Sequence, residues 1–220
     1  MPRRRFLIIH NLLAGTSRRG LFLAVLRELE RRGCIVTTQI AEDVETDRTL
    51  AEEGAASGDY DAIVAAARNP VLYAEWGVPD TPLGRYESVG LHMILFLHRT
   101  RGAESPLDEF AQDVLDEFFK DVDHSIRELG VGDPSVPKRM KKLARMFYGR
   151  AAAYGDALDA GDVEALAAAM QRNIRPDVEN WQGARPLADY AVEAAGALDA
   201  QPVEKLIAAE ISFPDAQREI

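Results

Sequence analysis

Apolar and polar residues change their spacing once along this chain. Up to about residue 66, short apolar runs alternate with spaced apolar positions. Beyond it the spacing is helical throughout. Phe6-Leu-Ile-Ile9 is a short β-rich run. Thr16 or Ser17 can cap a helix from about Arg18 to Arg32, with Leu21, Val25, Leu26 and Leu29 on one face, and Gly33 ends it. Cys34-Ile-Val-Thr-Thr-Gln-Ile40 reads as the next strand. Thr46 caps a second helix through about Ala56, Gly58 stops it, and Asp61-Ala-Ile-Val-Ala65 reads as a third strand. The pattern predicts a truncated βαβαβ segment, the start of a parallel α/β sheet.

From Asn69 onward strand signals disappear. Asn69-Pro70 marks a helix start, with Pro at the first helical position. Leu83 to about Thr100 is a mostly apolar helix. Leu107 to Leu129 carries Phe110, Val114, Phe118, Val122, Ile126 and Leu129 at three- and four-residue steps, with carboxylates on the other faces. Val136-Pro137 opens a helix to about Asp159, with Met140, Leu143, Phe147, Ala151, Tyr154 and Leu158 as its stripe. Asp162 caps another to about Asn173. Pro186 starts the next, ending before Pro202, and a short last helix covers Val203 to Glu210. The expected fold is mainly α: a multi-helix domain over residues 67–220, preceded by the α/β segment over residues 1–66.

Composition adds bounds. A chain of 220 residues that is 47% hydrophobic can bury a sizeable core. Its one cysteine, Cys34, excludes an intrachain disulfide and any multi-cysteine metal site. No apolar run approaches the ~18 residues of a membrane span; Leu91-His-Met-Ile-Leu-Phe-Leu97 is too short. The apolar stretch Phe6 to Ile9 is also shorter than a signal peptide needs, so the start reads as that of a mature soluble, cytoplasmic protein. The net charge is −10, and no lysine occurs before residue 67. Phosphates repel such a chain in general, so DNA is not an expected partner.

Candidate chemistry is sparse. The loop Asn11-Leu-Leu-Ala-Gly-Thr-Ser17 could offer backbone N–H groups to a phosphate, but with one glycine the signal is weak, and the loop reads first as an ordinary βα turn with a serine or threonine cap. Asp121 and His124 have the spacing of a carboxylate–histidine metal pair, without the further ligands that a di-iron bundle requires. His92 reads as a core histidine with a satisfied ring, and Cys34 as an inert strand residue. No catalytic residue, metal, cofactor or small-molecule substrate is expected. The most informative surface is Lys138-Arg-Met-Lys-Lys-Leu-Ala-Arg145, where Lys138, Arg139, Lys141, Lys142 and Arg145 stand beside an apolar stripe. Such a helix can meet an anionic membrane or an acidic partner such as ribosomal RNA. Alternatively its charges pair with the acidic helix at 108–123.

Two resemblances sharpen these expectations. Ile8-Ile-His-Asn-Leu-Leu-Ala-Gly-Thr-Ser17 and Asp59-Tyr-Asp-Ala-Ile-Val-Ala-Ala66 resemble the N-terminal part of the diacylglycerol kinase-like lipid kinases. Where that family has a glycine-rich nucleotide loop, this chain reads Ala65-Ala-Ala-Arg-Asn-Pro70. The resemblance therefore implies at most a lipid kinase-like or nucleotide-binding remnant with lost activity. Ala67-Arg-Asn-Pro-Val-Leu-Tyr73, Trp76-Gly-Val-Pro-Asp-Thr-Pro-Leu-Gly-Arg-Tyr86, Phe119-Lys-Asp-Val-Asp123, Arg127-Glu-Leu-Gly-Val-Gly-Asp133, Val136-Pro-Lys-Arg-Met-Lys-Lys142 and Phe147-Tyr-Gly-Arg150 are similar to the ubiquinol–cytochrome c chaperone family. That resemblance implies a non-enzymatic, all-α protein that assists assembly of respiratory complex III by attending newly made cytochrome b. Peripheral contact with the inner face of the respiratory membrane, or with the ribosome, would follow. Together the two resemblances read as a chimera. At residues 61–66 the kinase pattern wants a strand and the chaperone pattern a helix.

Overall fold

The computed structural model describes residues 5–11, 35–41, 44–104 and 106–216, with side chains from residue 54 onward. The chain divides into two compact units, Met1–Ala55 and Ala56–Ile220. In the first, β1 (Arg5–Asn11) and β2 (Ile35–Ala41) pair in parallel, from Arg5 opposite Ile35 to Asn11 opposite Ala41. The expected helix at 18–32, the loop at 12–17 and Cys34 lie outside the described residues.

Helix α1 (Val44–Ala67) corrects the expected third strand. It continues through Gly58, the expected stop, and through Asp61–Ala65. The reason is periodicity over a longer window. Ala56, Tyr60, Ile63 and Ala67 recur at four- and three-residue steps, and all four are buried. Gly58 is a contact point and no terminator: a Cβ there would stand 2.6 Å from the Cβ of Ala209.

The remaining helices form around capped starts. Helix α2 (Pro70–Ala74) begins after Asn69, whose Oδ1 accepts the Val71 N–H at 3.0 Å. Helix α3 (Pro82–Thr100) begins after Thr81, whose hydroxyl oxygen accepts the Gly84 N–H at 3.1 Å. Helix α4 (Leu107–Glu128) and a 3-10 turn at Asp133–Ser135 lead into α5 (Val136–Ala160). Gly161, at φ +63°, ends α5, and Asp162 caps α6 (Val163–Ile174) by accepting the Ala165 N–H at 2.9 Å. Helix α7 (Ala184–Asp199) starts two residues before the expected Pro186. Helix α8 (Val203–Ile207) stops short of Glu210, where Ala209 takes a positive φ of 58°.

Helix α3 is the centre of this unit and packs against α4, α5, α6 and α7. Leu91, His92, Met93, Ile94, Leu95 and Phe96 are consecutive and all buried. Over this stretch α3 has no solvent face and so carries apolar residues nearly all round, which is why the pattern there is continuous. The α4 stripe is as periodicity predicts: Phe110, Val114, Phe118, Val122 and Ile126 are buried, while Leu129 lies just past the helix end and is exposed.

The segment Trp76–Tyr86 is a lock between α2 and α3. The Trp181 indole N–H donates to the Trp76 carbonyl at 2.7 Å, and Arg175 donates to the Gly77 carbonyl at 2.9 Å. Gly183 lies so close that a Cβ there would stand 1.7 Å from the Trp76 oxygen, and one at Gly84 would stand 1.9 Å from the Pro79 oxygen. Backbone approaches this tight admit only glycine. Trp76 also packs on Tyr190, whose hydroxyl lies 2.9 Å from His92 Nε2.

Candidate functional site

The five cations singled out in the sequence all fall on α5 and are all exposed. Lys138, Lys141, Lys142 and Arg145 stand three, four and seven positions apart, the spacing of one helix face, with Arg139 at its edge. Val136, Phe147, Tyr154 and Ala157 hold the opposite face in the core. Met140, Leu143, Ala151 and Leu158 of the expected stripe are half-buried.

Two contacts from α3 fix how α5 is turned. The Tyr86 hydroxyl donates to the Leu143 carbonyl at 2.7 Å. The Arg150 guanidinium grips the buried Glu87 carboxylate with two hydrogen bonds, at 2.5 and 2.6 Å. Burial pushes the Glu87 carboxyl upward and Arg150 pulls it back, leaving it above the ordinary range. Sequence reading did not single out this pair. The signal was present, since Arg150 falls at the stripe spacing between Phe147 and Tyr154, where a charge requires a buried partner.

The alternative in which the basic face pairs with the acidic helix is not what the structure shows. Among the described residues, none of the five cations makes an ion pair with a carboxylate. The acidic helix uses its own bases: Lys120 meets Glu117 at 2.7 Å, and Arg127 meets Asp123 at 2.6 Å and Asp133 at 2.5 Å. Arg127 thereby holds Asp133, the carboxylate preceding α5 in the chain.

Two of the cations also oppose the helix that carries them. Lys138 and Arg139 lie in the first turn of α5, near the positive end of its dipole, and that turn carries no acidic residue. Each such cation costs a few tenths of a kcal/mol, about 0.3–1 by the usual range. The helix dipole therefore does not account for these two charges.

Other candidates resolve differently. Asp121 accepts the Tyr60 hydroxyl at 2.7 Å, while His124 lies 3.1 Å from Glu128, so the two do not converge on a metal. No group of three or more His, Cys, Asp or Glu is placed to hold a metal among the described residues. His92 is buried and satisfied as expected, with Nδ1 2.8 Å from the Ser88 carbonyl and Nε2 on Tyr190. A cleft of about 330 Å³ opens beside Ile94, Leu97, Arg101, Ala111, Ala151 and Gly155. Arg101 and His98 both bond Asp159 beside it and hold that carboxyl down at about 2.

Where the kinase resemblance places a phosphate loop, the backbone donors are already used. The N–H groups of Arg68 and Asn69 close the end of α1, that of Val71 goes to the Asn69 side chain, that of Leu72 goes to the Asn69 carbonyl, and Pro70 has none.

Comparison with known proteins agrees with the helical architecture. Residues 74–213 match the model of a family described as ubiquinol-cytochrome C chaperone. A solved structure, the crystal structure of the Cbp3 homolog from Brucella abortus, is 54% identical to this chain. The match covers 78% of this chain and 95% of that one, with a TM-score of 0.74. No curated protein matches. The family match begins at residue 74, and the likeness of residues 5–66 to lipid kinases gains no support from it.

Proposed function

The chain belongs to the ubiquinol-cytochrome C chaperone family, and from that premise we propose that it is a non-enzymatic assembly chaperone of respiratory complex III, with newly made cytochrome b as its client. The observation that carries this reading is the 54% identity to a Cbp3 homolog across 95% of that chain. The basic face of α5 is its docking surface toward an anionic partner where the client emerges. Three features support that role: five exposed cations, no carboxylate partner among the described residues, and the placing of Lys138 and Arg139 at the helix end that disfavours them. A protein with this role binds and releases its client and performs no chemistry on it. The spent backbone donors at residues 68–72 fit this, since a nucleotide phosphate would need them free.

The test is removal of the protein from cells of its source. Assembled complex III should fall severalfold, and cytochrome b should crosslink to the reintroduced protein. Complex III at its normal level in the deleted strain would overturn the proposal.

A further inference from the structure

The outer face of α5 continues past its cations. Lys138, Lys141, Lys142 and Arg145 are followed on the same face by Tyr148, at a rise that makes the strip about 15 Å long. Tyr148 is 56% exposed, although it is one of the larger apolar side chains. It is held in place from behind, its ring 6.3 Å from Phe119 and 5.5 Å from Phe147. Gly149 and Ala152 are also exposed and extend the strip without polar groups. From Lys138 to Tyr154 the helix contains no Asn, Gln, Ser, Thr, Asp or Glu.

We infer that this strip is a docking surface for the anionic face of a lipid bilayer, with the cations over the headgroups and Tyr148 as the interfacial anchor. The inference rests on reading the α5 face as the chaperone's docking surface, and it names what that surface meets. A lipid surface fits better than RNA for three reasons. The strip is the convex side of a helix, which offers no groove to follow a phosphate strand. It has no Asn, Gln, Ser or Thr side chain to read base edges. An aromatic ring with a polar tip beside lysines is the composition of a membrane–water boundary. A bilayer is flat, and its anionic lipids can gather beneath the cations. The chain as a whole, at −10, is repelled from the same surface. Attachment is therefore oriented, and it weakens as salt rises.

The experiment is flotation of the purified full chain with vesicles. One set contains phosphatidylcholine with phosphatidylglycerol, the other phosphatidylcholine alone, and a ribosomal RNA fragment serves as a separate probe. The parent should float with the anionic vesicles at low salt and stay behind with the neutral ones. The Lys138→Gln, Lys141→Gln, Lys142→Gln variant should lose on the order of tenfold to a hundredfold in partition. Tyr148→Ala should lose severalfold, and Tyr148→Phe should keep most of the binding. Equal flotation with neutral vesicles, no flotation of the parent, a triple variant that floats like the parent, or binding to the RNA in place of the vesicles would each overturn the inference. No client is present in this assay. Its failure removes the bilayer and leaves the chaperone role, which stands or falls on the level of complex III.

Discussion

Asp59 shows how one residue can set a pH response. It is fully buried in α1, where Oδ1 accepts the Ile211 N–H at 3.4 Å and Oδ2 has no partner among the described residues. Burial raises its pKa from 3.8 to about 7, with the Ile211 bond pulling the other way. The folded protein thus holds this proton more tightly than the unfolded chain. The resulting stability is present below about pH 4 and is lost as pH rises through 7. His92 works in the opposite sense. Burial lowers its pKa from 6.5 to about 4, against the Ser88 carbonyl, so its contribution is full above 6.5 and is lost as pH falls toward 4. The two slopes oppose each other over nearly the same window. Asp59→Asn removes one of them. Relative to the parent, that variant should gain on the order of 2–3 kcal/mol between pH 5 and pH 8, read from urea unfolding at both values. A difference that does not change with pH would show that Asp59 does not hold a proton in the fold. His92 was legible in the sequence because a single histidine inside an apolar run has to be satisfied locally. Asp59 was not, since its burial depends on Ile211, 152 residues away.

At the scale of elements, the join between α3 and α5 carries the clearest consequence. Arg150→Met leaves the Glu87 carboxylate buried without its partner, at a cost of about 3–5 kcal/mol. Replacing both Glu87 and Arg150 with Met should recover much of that loss, because two apolar side chains need no counter-charge. Equilibrium unfolding of the single and double variants tests this. A single variant that loses less than about 1 kcal/mol would show that Glu87 finds water or another base. The elements themselves were readable where apolar steps and caps agreed. The α4 stripe, the Asn69 and Asp162 caps and the basic face of α5 all follow from residues within one or two turns. α1 was misread because Asp61–Ala65 looks like a strand within its own window, while Ala56, Tyr60, Ile63 and Ala67 define a helix only over a longer one. The Glu87–Arg150 clamp joins residues 63 apart, and neither spacing nor composition states which charges meet. The glycines at 84 and 183 were visible, but the carbonyls they admit were not.

For the whole molecule, the helical unit has its own core and caps, and its long-range bonds tie its first residues to its last. Residues 56–220 alone should therefore unfold in one cooperative thermal transition. A broad, non-cooperative melt would show that this unit needs the residues before it. The wide separation of its partners has a further consequence in time. His92 meets Tyr190 98 residues later, Arg99 meets the Leu198 carbonyl 99 residues later, and the Trp76 carbonyl waits 105 residues for Trp181. At translation speeds of about 5–20 residues per second, α7 is made roughly 5–20 s after α3. During that interval α3, whose residues Leu91 to Phe96 are all buried in the finished fold, has left the ribosome with one side of its packing not yet synthesised. Each new copy of this chaperone passes through the condition of an unshielded hydrophobic nascent chain before it can shelter another.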